Sequence, residues 1–314
     1  MNNDNNLFEF NPSEWVPYKN KKEIERVLSI KREDIERHSN PGFKINVVSD
    51  SDVSHIFIAD MFKRIKHSAD TGKRLVMILP NPFPDYRFVA RLINACNIDC
   101  RNVYAFAMDE YADENGNIAP ENWQFGFTNA MLKYFYYEID EKLRPPRNQI
   151  TGFTNSNLNH YGKMIEDAGG ADICYSGPGW TGHLAFIEPD APEFMGDLDE
   201  WKKMSARICT LSPFTIAQNS LHGSFGKSGN LAAVPPKSAT IGPAEVINAK
   251  HRLDFHAITV HGTTTSWQRF ISRLVLHGPV TPLVPESILQ TLRTDVYVSE
   301  TIAQNIEPDW NKGY

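Results

Sequence analysis

The sequence predicts an α/β protein with a mostly parallel, Rossmann-like central sheet and helices on both of its faces. Strand-like and helix-like segments alternate from Phe43 onward, as expected when crossover helices join parallel strands. Residues 74–79 are dominated by a continuous apolar run, which is typical of a strand covered on both faces. A second such run, at 171–175, leads directly into a glycine-rich segment, and ligands often bind at such strand ends.

Composition and charge narrow the class of protein. The chain has 314 residues, of which 41% are hydrophobic and 22% are charged, as in ordinary globular proteins. The net charge is -6 and no basic stripe is present, so nucleic acid is not expected as a partner. We find neither a signal core nor an apolar span of bilayer length, which predicts a cytoplasmic protein without a membrane partner.

The cysteines do not predict a metal centre. Cys96 and Cys100 lie four residues apart, but no second pair or nearby histidine completes a zinc site. We therefore expect reduced, mostly buried thiols, no metal and no cofactor.

Two regions are predicted along the chain. Residues 1–42 form an N-terminal extension with a charged helix at 21–38, which a Ser-Asn-Pro-Gly segment ends. Residues 43–314 form the α/β domain. Its predicted strands are 43–48, 74–79, 103–108, 171–175 and 256–260, and its predicted helices are 53–68, 86–96, 122–137, 161–168 and 266–276.

The ligand crevice of such a sheet lies beyond the carboxyl ends of its strands. One of these ends carries Asp109 and Glu110, directly after Met108. Burial and mutual repulsion would raise the pKa of one carboxyl toward neutrality and suit it to proton transfer. A solvated acidic turn is the alternative interpretation.

A second strand end carries the segment Gly177-Pro-Gly-Trp-Thr-Gly-His183. Glycines let the backbone approach a ligand closely, and a histidine can transfer protons near neutral pH. Glu188 follows five residues later and could hold the imidazole in one tautomer.

This segment has two other interpretations. The glycines at 177, 179 and 182 match the dinucleotide fingerprint formally, but prolines soon follow where that fingerprint requires a helix. A metal site of Asp109, His183 and Glu188 is conceivable, but nothing in the spacing demands it.

The third strand end, at Asn81, opens a proline-rich turn that is a poor phosphate cradle.

These residues resemble the glucosamine-6-phosphate deaminase family, also called glucosamine-6-phosphate isomerases. The resemblance begins near Phe43 and runs into the last quarter of the chain. It rests on the segments Phe106-Ala-Met-Asp-Glu-Tyr111, Gly169-Gly-Ala-Asp-Ile173 and Gly182-His-Leu-Ala-Phe-Ile-Glu-Pro189. The 6-phosphogluconolactonases share this general fold.

The resemblance implies a sugar or sugar phosphate as the small-molecule partner and a reaction in three stages. The sugar ring opens, a proton moves between C2 and C1, and ammonia leaves. By position, Asp109 is implied as the general base, His183 as the ring-opening acid/base and Glu188 as its carboxylate partner. The residues expected to bind substrate are Asn81, Glu110, Gly177, Gly179, Thr181 and Gly182.

The sequence departs from the family pattern in the histidine relay and in the phosphate site. Thr181 stands where the family usually has an aspartate. Asn81-Pro-Phe-Pro replaces the phosphate loop, Leu221 replaces an arginine and Thr263 replaces a lysine. We therefore expect an altered phosphate site. The cations nearest to these loops in sequence are Arg87, Lys227 and Arg269.

Three functions remain open from the sequence. A sugar or amino-sugar isomerase/deaminase is favoured by the retained Asp109, His183 and Glu188. A non-catalytic sugar-binding homologue is the second interpretation, and a lactonase that uses His183 to activate water is the third. The sequence also leaves open whether the chain forms a homo-oligomer.

Overall fold

The computed structural model describes residues 10–257 and 267–311. Its strands are β1 (Phe43–Val48), β2 (Leu75–Leu79), β3 (Val103–Ala107), β4 (Asp109–Ala112), β5 (Ile150–Thr151), β6 (Ile173–Ser176), β7 (Arg207–Thr210), β8 (Lys237–Thr240), β9 (Arg252–His256) and β10 (Thr294–Ser299). Its helices are α1 (Lys21–Leu28), α2 (Asp52–Thr71), α3 (Tyr86–Ala95), α4 (Phe127–Met131), α5 (Tyr161–Asp167), α6 (Leu198–Trp201), α7 (Pro213–Asn219), α8 (Pro243–Asn248), α9 (Gln268–His277) and α10 (Glu300–Ala303).

The predicted α/β architecture is confirmed. Within the described ranges, seven strands form one sheet in the order β1-β10-β9-β6-β2-β3-β5, and the paired strands run parallel. Val76 and Ile78 of β2 pack into the core on one face, and Leu75, Met77 and Leu79 into the core on the other. The continuous apolar run of β2 therefore follows from burial on both faces.

The strand order reverses between β2 and β6. After β2 the chain builds β3 and β5 on one side, and it then returns to place β6 on the other side of β2. The loops leaving β2 and β6 diverge at this point and open a crevice at their carboxyl ends. Asn81 and Gly177 lie on these two loops.

A smaller antiparallel sheet of β4, β8 and β7 lies beside the central one. Asp109 pairs with Thr240 and Glu110 with Ala239. The acidic pair was expected at the end of a strand, with a solvated acidic turn as the alternative. In the structure Met108 joins two strands, so Asp109 opens a new strand. Four-residue strands with mixed composition carry too weak a periodic pattern to be recognised.

Two predicted helices are shorter in the structure. The helix expected at 21–38 ends at Leu28, where the Ser29 hydroxyl bonds to the Arg26 carbonyl. The helix expected at 122–137 begins only at Phe127, because residues 122–126 form turns, and it continues as a π-helical turn, Leu132–Tyr136.

No helix in the described ranges combines the length and apolar character needed to cross a membrane. The late strand ends at His256, and residues 258–260 of the prediction lie outside the described residues, as does Thr263.

Candidate active site

A cavity of about 540 Å³ lies at the carboxyl ends of β2 and β6. We call it the strand-end cavity. Its lining includes Pro80 to Asp85 after β2, Met108 and Asp109, the loop residues Ser176, Gly177, Gly179 and His183, and Gln218, Asn219 and His222 from α7 and the residues after it. Its volume lies in the range of small-molecule sites.

Asp109 contributes a buried carboxyl group to this cavity. The residue is 6% exposed, and its Oδ1 atom has no hydrogen-bond partner among the described residues. Burial, with the adjacent charge of Glu110, raises the pKa of Asp109 well above its usual range. An unpartnered carboxyl with a raised pKa is suited to accept a proton from a bound ligand.

His183 lies on the opposite loop and is held through its Nδ1 atom. The Thr181 and Thr215 hydroxyls each lie 3.0 Å from Nδ1. Thr181 also donates to Oε2 of Glu188 at 3.2 Å, whereas His183 Nδ1 is 3.5 Å from the same oxygen. The imidazole therefore reaches the carboxylate through a hydroxyl bridge.

This bridge fixes the direction of the proton relay. Because the Thr181 hydroxyl donates its one proton to Glu188, it accepts the hydrogen bond from Nδ1–H of His183. The tautomer inferred from this geometry leaves Nε2 as the free base. Nε2 lies over Gly179, where any side chain would overlap the ring. The ring nitrogen that can transfer protons therefore lies beside a residue of the cavity lining.

The predicted substrate-binding residues divide into two groups. Asn81, Gly177 and Gly179 line the strand-end cavity, and Asn81 Oδ1 is buried without a hydrogen-bond partner among the described residues. Thr181 and Gly182 are not in the described lining. Gly182 instead provides the turn before His183, with a φ of 77° that favours glycine.

Glu110 occupies a structural position. It is fully buried and accepts backbone N–H bonds from Tyr111, Phe127 and Thr128 at 2.7–2.9 Å. Burial raises the pKa of Glu110, although these hydrogen bonds act in the opposite direction. The carboxylate caps the N-terminus of α4 and is absent from the described cavity lining. This placement corrects the expected substrate contact, because adjacent residues of a strand point to opposite faces.

Replacing Glu110 with glutamine is expected to lower the free energy of unfolding by about 1–3 kcal/mol. The amide NH₂ group would face backbone N–H donors that now share two carboxylate oxygens. Urea unfolding at neutral pH measures the change, with the exposed Glu114→Gln as a matched control. Equal stability of the two variants would contradict the capping role.

Helix α7 and the turn after it supply the site residues that the sequence did not reveal. Thr215 contacts His183, and Gln218 Oε1 accepts the Trp180 N–H at 2.8 Å. His222 lines the cavity. The sequence signals for this helix lie at its start, where Ser212 caps the Phe214 N–H and Pro213 follows.

A buried polar network supports the loop after β6. The Ser176 hydroxyl donates to Asp254 Oδ1 at 2.7 Å, and the other oxygen of Asp254 lies 2.9 Å from His256 Nε2. His256 Nδ1 is 2.8 Å from the Ser272 hydroxyl. Burial would raise the pKa of Asp254, but His256 and Ser176 hold it below its usual range. The network joins β6, β9 and α9, and it fixes where Gly177 leaves the sheet.

Among the described residues, no group of three or more His, Cys, Asp or Glu side chains could hold a metal ion. After Gly182 the chain forms a turn with a bridge between Leu184 and Ile187, where a dinucleotide fingerprint would start a helix. The chemistry that the described geometry offers is proton transfer by two groups, Asp109 and His183.

Comparisons with known proteins found similar sequences and similar solved structures. Curated glucosamine-6-phosphate deaminases match the chain at 29% identity over 194 residues in Caenorhabditis elegans and at 27% over 269 residues in Porphyromonas gingivalis. The first match covers 60% of this chain and 65% of the nematode protein, which is less than two thirds of its length. The second covers 83% and 92%. No family model matches the chain.

Solved structures share the fold. A monomeric glucosamine-6-phosphate deaminase superposes with a TM-score of 0.67 at 20% identity, covering 83% of this chain and 98% of the other. A 6-phosphogluconolactonase from Thermotoga maritima superposes with a TM-score of 0.56 at 11% identity, covering 82% and 99%.

Proposed function

Since the chain is a divergent relative of the glucosamine-6-phosphate deaminases, we propose that it isomerises or deaminates a sugar or amino sugar. The observation that carries the proposal is the pairing of an unpartnered buried carboxyl, Asp109, with a relay-held histidine, His183, around one cavity. Two proton-transfer groups are what ring opening and a C2–C1 shift require.

In the proposed reaction, His183 acts first. Nε2 takes the proton from the hydroxyl at C1 and returns it to the ring oxygen, so that the C1–O5 bond breaks and the open-chain aldehyde forms. The Thr181 hydroxyl and Glu188 stabilise the charged imidazole during this transfer. No net proton is consumed in the step.

Asp109 then moves one proton. In its ionised form it removes the proton from C2 and returns it to C1. A second proton passes from the hydroxyl or amino group at C2 to the C1 oxygen, so that the aldose becomes the ketose skeleton. With an amino group at C2, the product of the shift is an imine. Water adds at C2 and ammonia leaves, so the amino sugar and water become ketose and ammonia.

The hydroxyl bridge predicts the effect of a single substitution. Thr181→Val keeps the shape of the side chain but removes the hydroxyl that bridges His183 and Glu188, which leaves only their 3.5 Å contact. We expect kcat to fall about 10- to 100-fold with KM nearly unchanged, because Thr181 positions the imidazole and lies outside the described cavity lining. Thr181→Ser, which keeps the hydroxyl, should retain most activity. Equal rates for the valine and serine variants would contradict the relay.

A substrate panel tests the proposed function. Aldoses, ketoses and amino sugars, each with and without phosphate, would be screened by thermal shift, and every ligand would then be assayed for ammonia release and aldose–ketose conversion. Turnover that disappears in Asp109→Asn supports the proposal. Ligand binding without turnover of any of these sugars would instead favour a sugar-binding homologue.

The lactonase interpretation has weaker support. The lactonase structures share the fold at 11–15% identity, and fold alone does not select a reaction. A lactonase would need His183 to activate water, but such a hydrolysis gives no evident task to the unpartnered carboxyl of Asp109.

The proposed compartment is the cytoplasm. All four cysteines are unpaired, and Cys100, Cys174 and Cys209 are buried. Burial raises the pKa of the Cys100 and Cys174 thiols to about 12, so these thiols are unreactive. Unpaired thiols are typical of reducing compartments.

We also propose that residues 1–42 form an extension to an α/β domain of residues 43–314. Val16, Pro17 and Tyr18 of the extension line a small apolar cavity together with Thr181 and Trp180. The extension would thereby exclude water from the relay on the side away from the substrate.

A further inference from the structure

A second cavity, of about 670 Å³, adjoins the strand-end cavity. We call it the lysine cavity. The two cavities share Pro82, Pro84, Gln218 and His222 in their linings. A ligand whose reacting carbons lie beside Asp109 can therefore extend past His222 into the lysine cavity.

The strand-end cavity is a poor place for an anionic group. Its described lining holds three aspartates, Asp50, Asp85 and Asp109, but no lysine or arginine. Residues 258–266, which follow the lining residue Ala257, contain no lysine or arginine in their sequence. A phosphate here would meet negative charge without a compensating cation.

The lysine cavity carries two cations, Lys133 and Lys227. Within the described residues, neither ammonium group has an acidic partner, although the chain as a whole is acidic. Two other cations lie near the altered loops in sequence. Arg87 stacks over the Tyr134 ring at 5.3 Å, and Arg269 donates to the Thr301 carbonyl.

Both lysines lie on unusual backbone. Lys133 is part of the π-helical turn after α4, and such turns are frequent at functional sites. Lys227 has a φ of +53°, and its N–H bonds to the His222 carbonyl at 3.1 Å. A lysine in the left-handed region is strained, and strain of this kind concentrates at ligand sites.

Uncharged polar groups accompany the lysines. His222 Nδ1 and the Ser224 hydroxyl are buried and have no hydrogen-bond partner among the described residues. Burial, followed by the charge of His183, lowers the pKa of His222 to about 4, so this ring is neutral at physiological pH. The rings of Tyr134 and Trp180 complete the lining. Lys133 lies over the Tyr134 ring at 5.7 Å, and Trp180 stacks on Trp267 at 4.1 Å.

We propose that the lysine cavity binds an anionic substituent of the substrate, a phosphate or a carboxylate, with Lys133 and Lys227 as its charged ligands. The inference rests on the proposed function only for the position of the reacting carbons in the strand-end cavity. The anion would bind to the two lysines and not to the loop after β2: Pro82 and Pro84 of this loop line the cavity, but Asn81-Pro-Phe-Pro supplies no cation. The substrate would then be a sugar whose anionic group lies beyond His222.

Calorimetric titration tests this site without requiring turnover. The wild type and the double variant Lys133→Gln/Lys227→Gln would be titrated with glucosamine 6-phosphate, glucuronic acid and unmodified glucosamine. The exposed Lys44→Gln, on β1, is the matched control for loss of surface charge. We expect about a tenfold loss of affinity per lysine for the anionic ligands, with affinity for glucosamine unchanged and anion binding weakened by salt.

The outcomes separate this inference from the proposed function. If the double variant loses affinity for the anionic ligands and the control variant does not, the result supports the lysine cavity, even if no sugar is turned over. The anionic ligand that binds more tightly identifies the anion as phosphate or carboxylate. Unchanged anion affinity in the double variant, or an equal loss for glucosamine, would overturn it. If the wild type and the double variant turned over an anionic sugar with the same KM, that result would overturn the inference as well.

Discussion

Replacing Asp109 with asparagine is expected to abolish turnover while making the folded protein more stable. The amide cannot accept the C2 proton, and loss of a general base typically costs about 10²–10⁴ in rate. Stability rises because a carboxyl whose pKa is raised by burial destabilises the fold when it ionises. Sugar binding should persist, since the amide keeps the shape of the side chain.

The raised pKa of Asp109 also predicts how the stability of the wild type depends on pH. Between the unfolded pKa, about 3.9, and the raised folded pKa, the folded state binds more protons than the unfolded state, so stability falls as pH rises through this window. Activity moves in the opposite direction, because only ionised Asp109 acts as a base. Thermal unfolding and kcat/KM measured against pH check both trends, with the exposed Asp140→Asn as control. A variant that is both active and less stable than the wild type would contradict the assignment.

Replacing His183 with glutamine is expected to lower turnover of ring-closed sugars by about 10²–10⁴. Glutamine can hydrogen-bond to the Thr181 and Thr215 hydroxyls but cannot transfer a proton. Since ring opening precedes the C2–C1 shift, the defect should be much smaller for open-chain substrate analogues, on which Asp109 acts directly.

Parallel assays of a cyclic sugar and its open-chain analogue measure this difference. The exposed His160→Gln serves as the control for loss of a histidine and should match the wild type. An equal loss on cyclic and open-chain substrates would show that His183 acts in the proton shift as well, and full activity of His183→Gln would remove it from the mechanism.

Four strands of the central sheet, β1, β2, β3 and β6, were predictable from their apolar runs. The sequence did not reveal β5 and β10, and the strand expected at 256–260 lies earlier, at Arg252–His256. The five residues of β2 are buried on both faces, and the glycines after β6 mark an abrupt strand exit. The three-stranded sheet was not predictable, since β4, β7 and β8 have four residues each and their pairing is long-range. Long-range contacts override weak local patterns.

The candidate site was predictable where a side chain that can transfer protons follows a recognisable strand. Asp109 and His183 follow recognisable strands, and the structure brings both to one cavity. The different tasks of Asp109 and Glu110 depend on which face of β4 each side chain occupies, which the dipeptide does not specify. Thr215 and His222 lie more than 30 residues after His183 in the sequence, and only the packing of α7 brings them to this residue.

The relay shows how a departure from a family pattern can be accommodated. Thr181 supplies no negative charge, but its hydroxyl connects His183 to Glu188. The sequence indicated the missing aspartate, whereas the structure supplies the bridge, together with a second hydroxyl from Thr215.

Proton exchange in D₂O tests the central claim most directly. Substrates from the panel would be incubated with the wild type and with Asp109→Asn, and deuterium at C1 and C2 would be followed by NMR together with ammonia release. We predict that the wild type incorporates deuterium at these carbons of at least one sugar and that Asp109→Asn does not. Absence of exchange in the wild type for every aldose, ketose and amino sugar, or undiminished exchange in Asp109→Asn, would contradict the proposed mechanism.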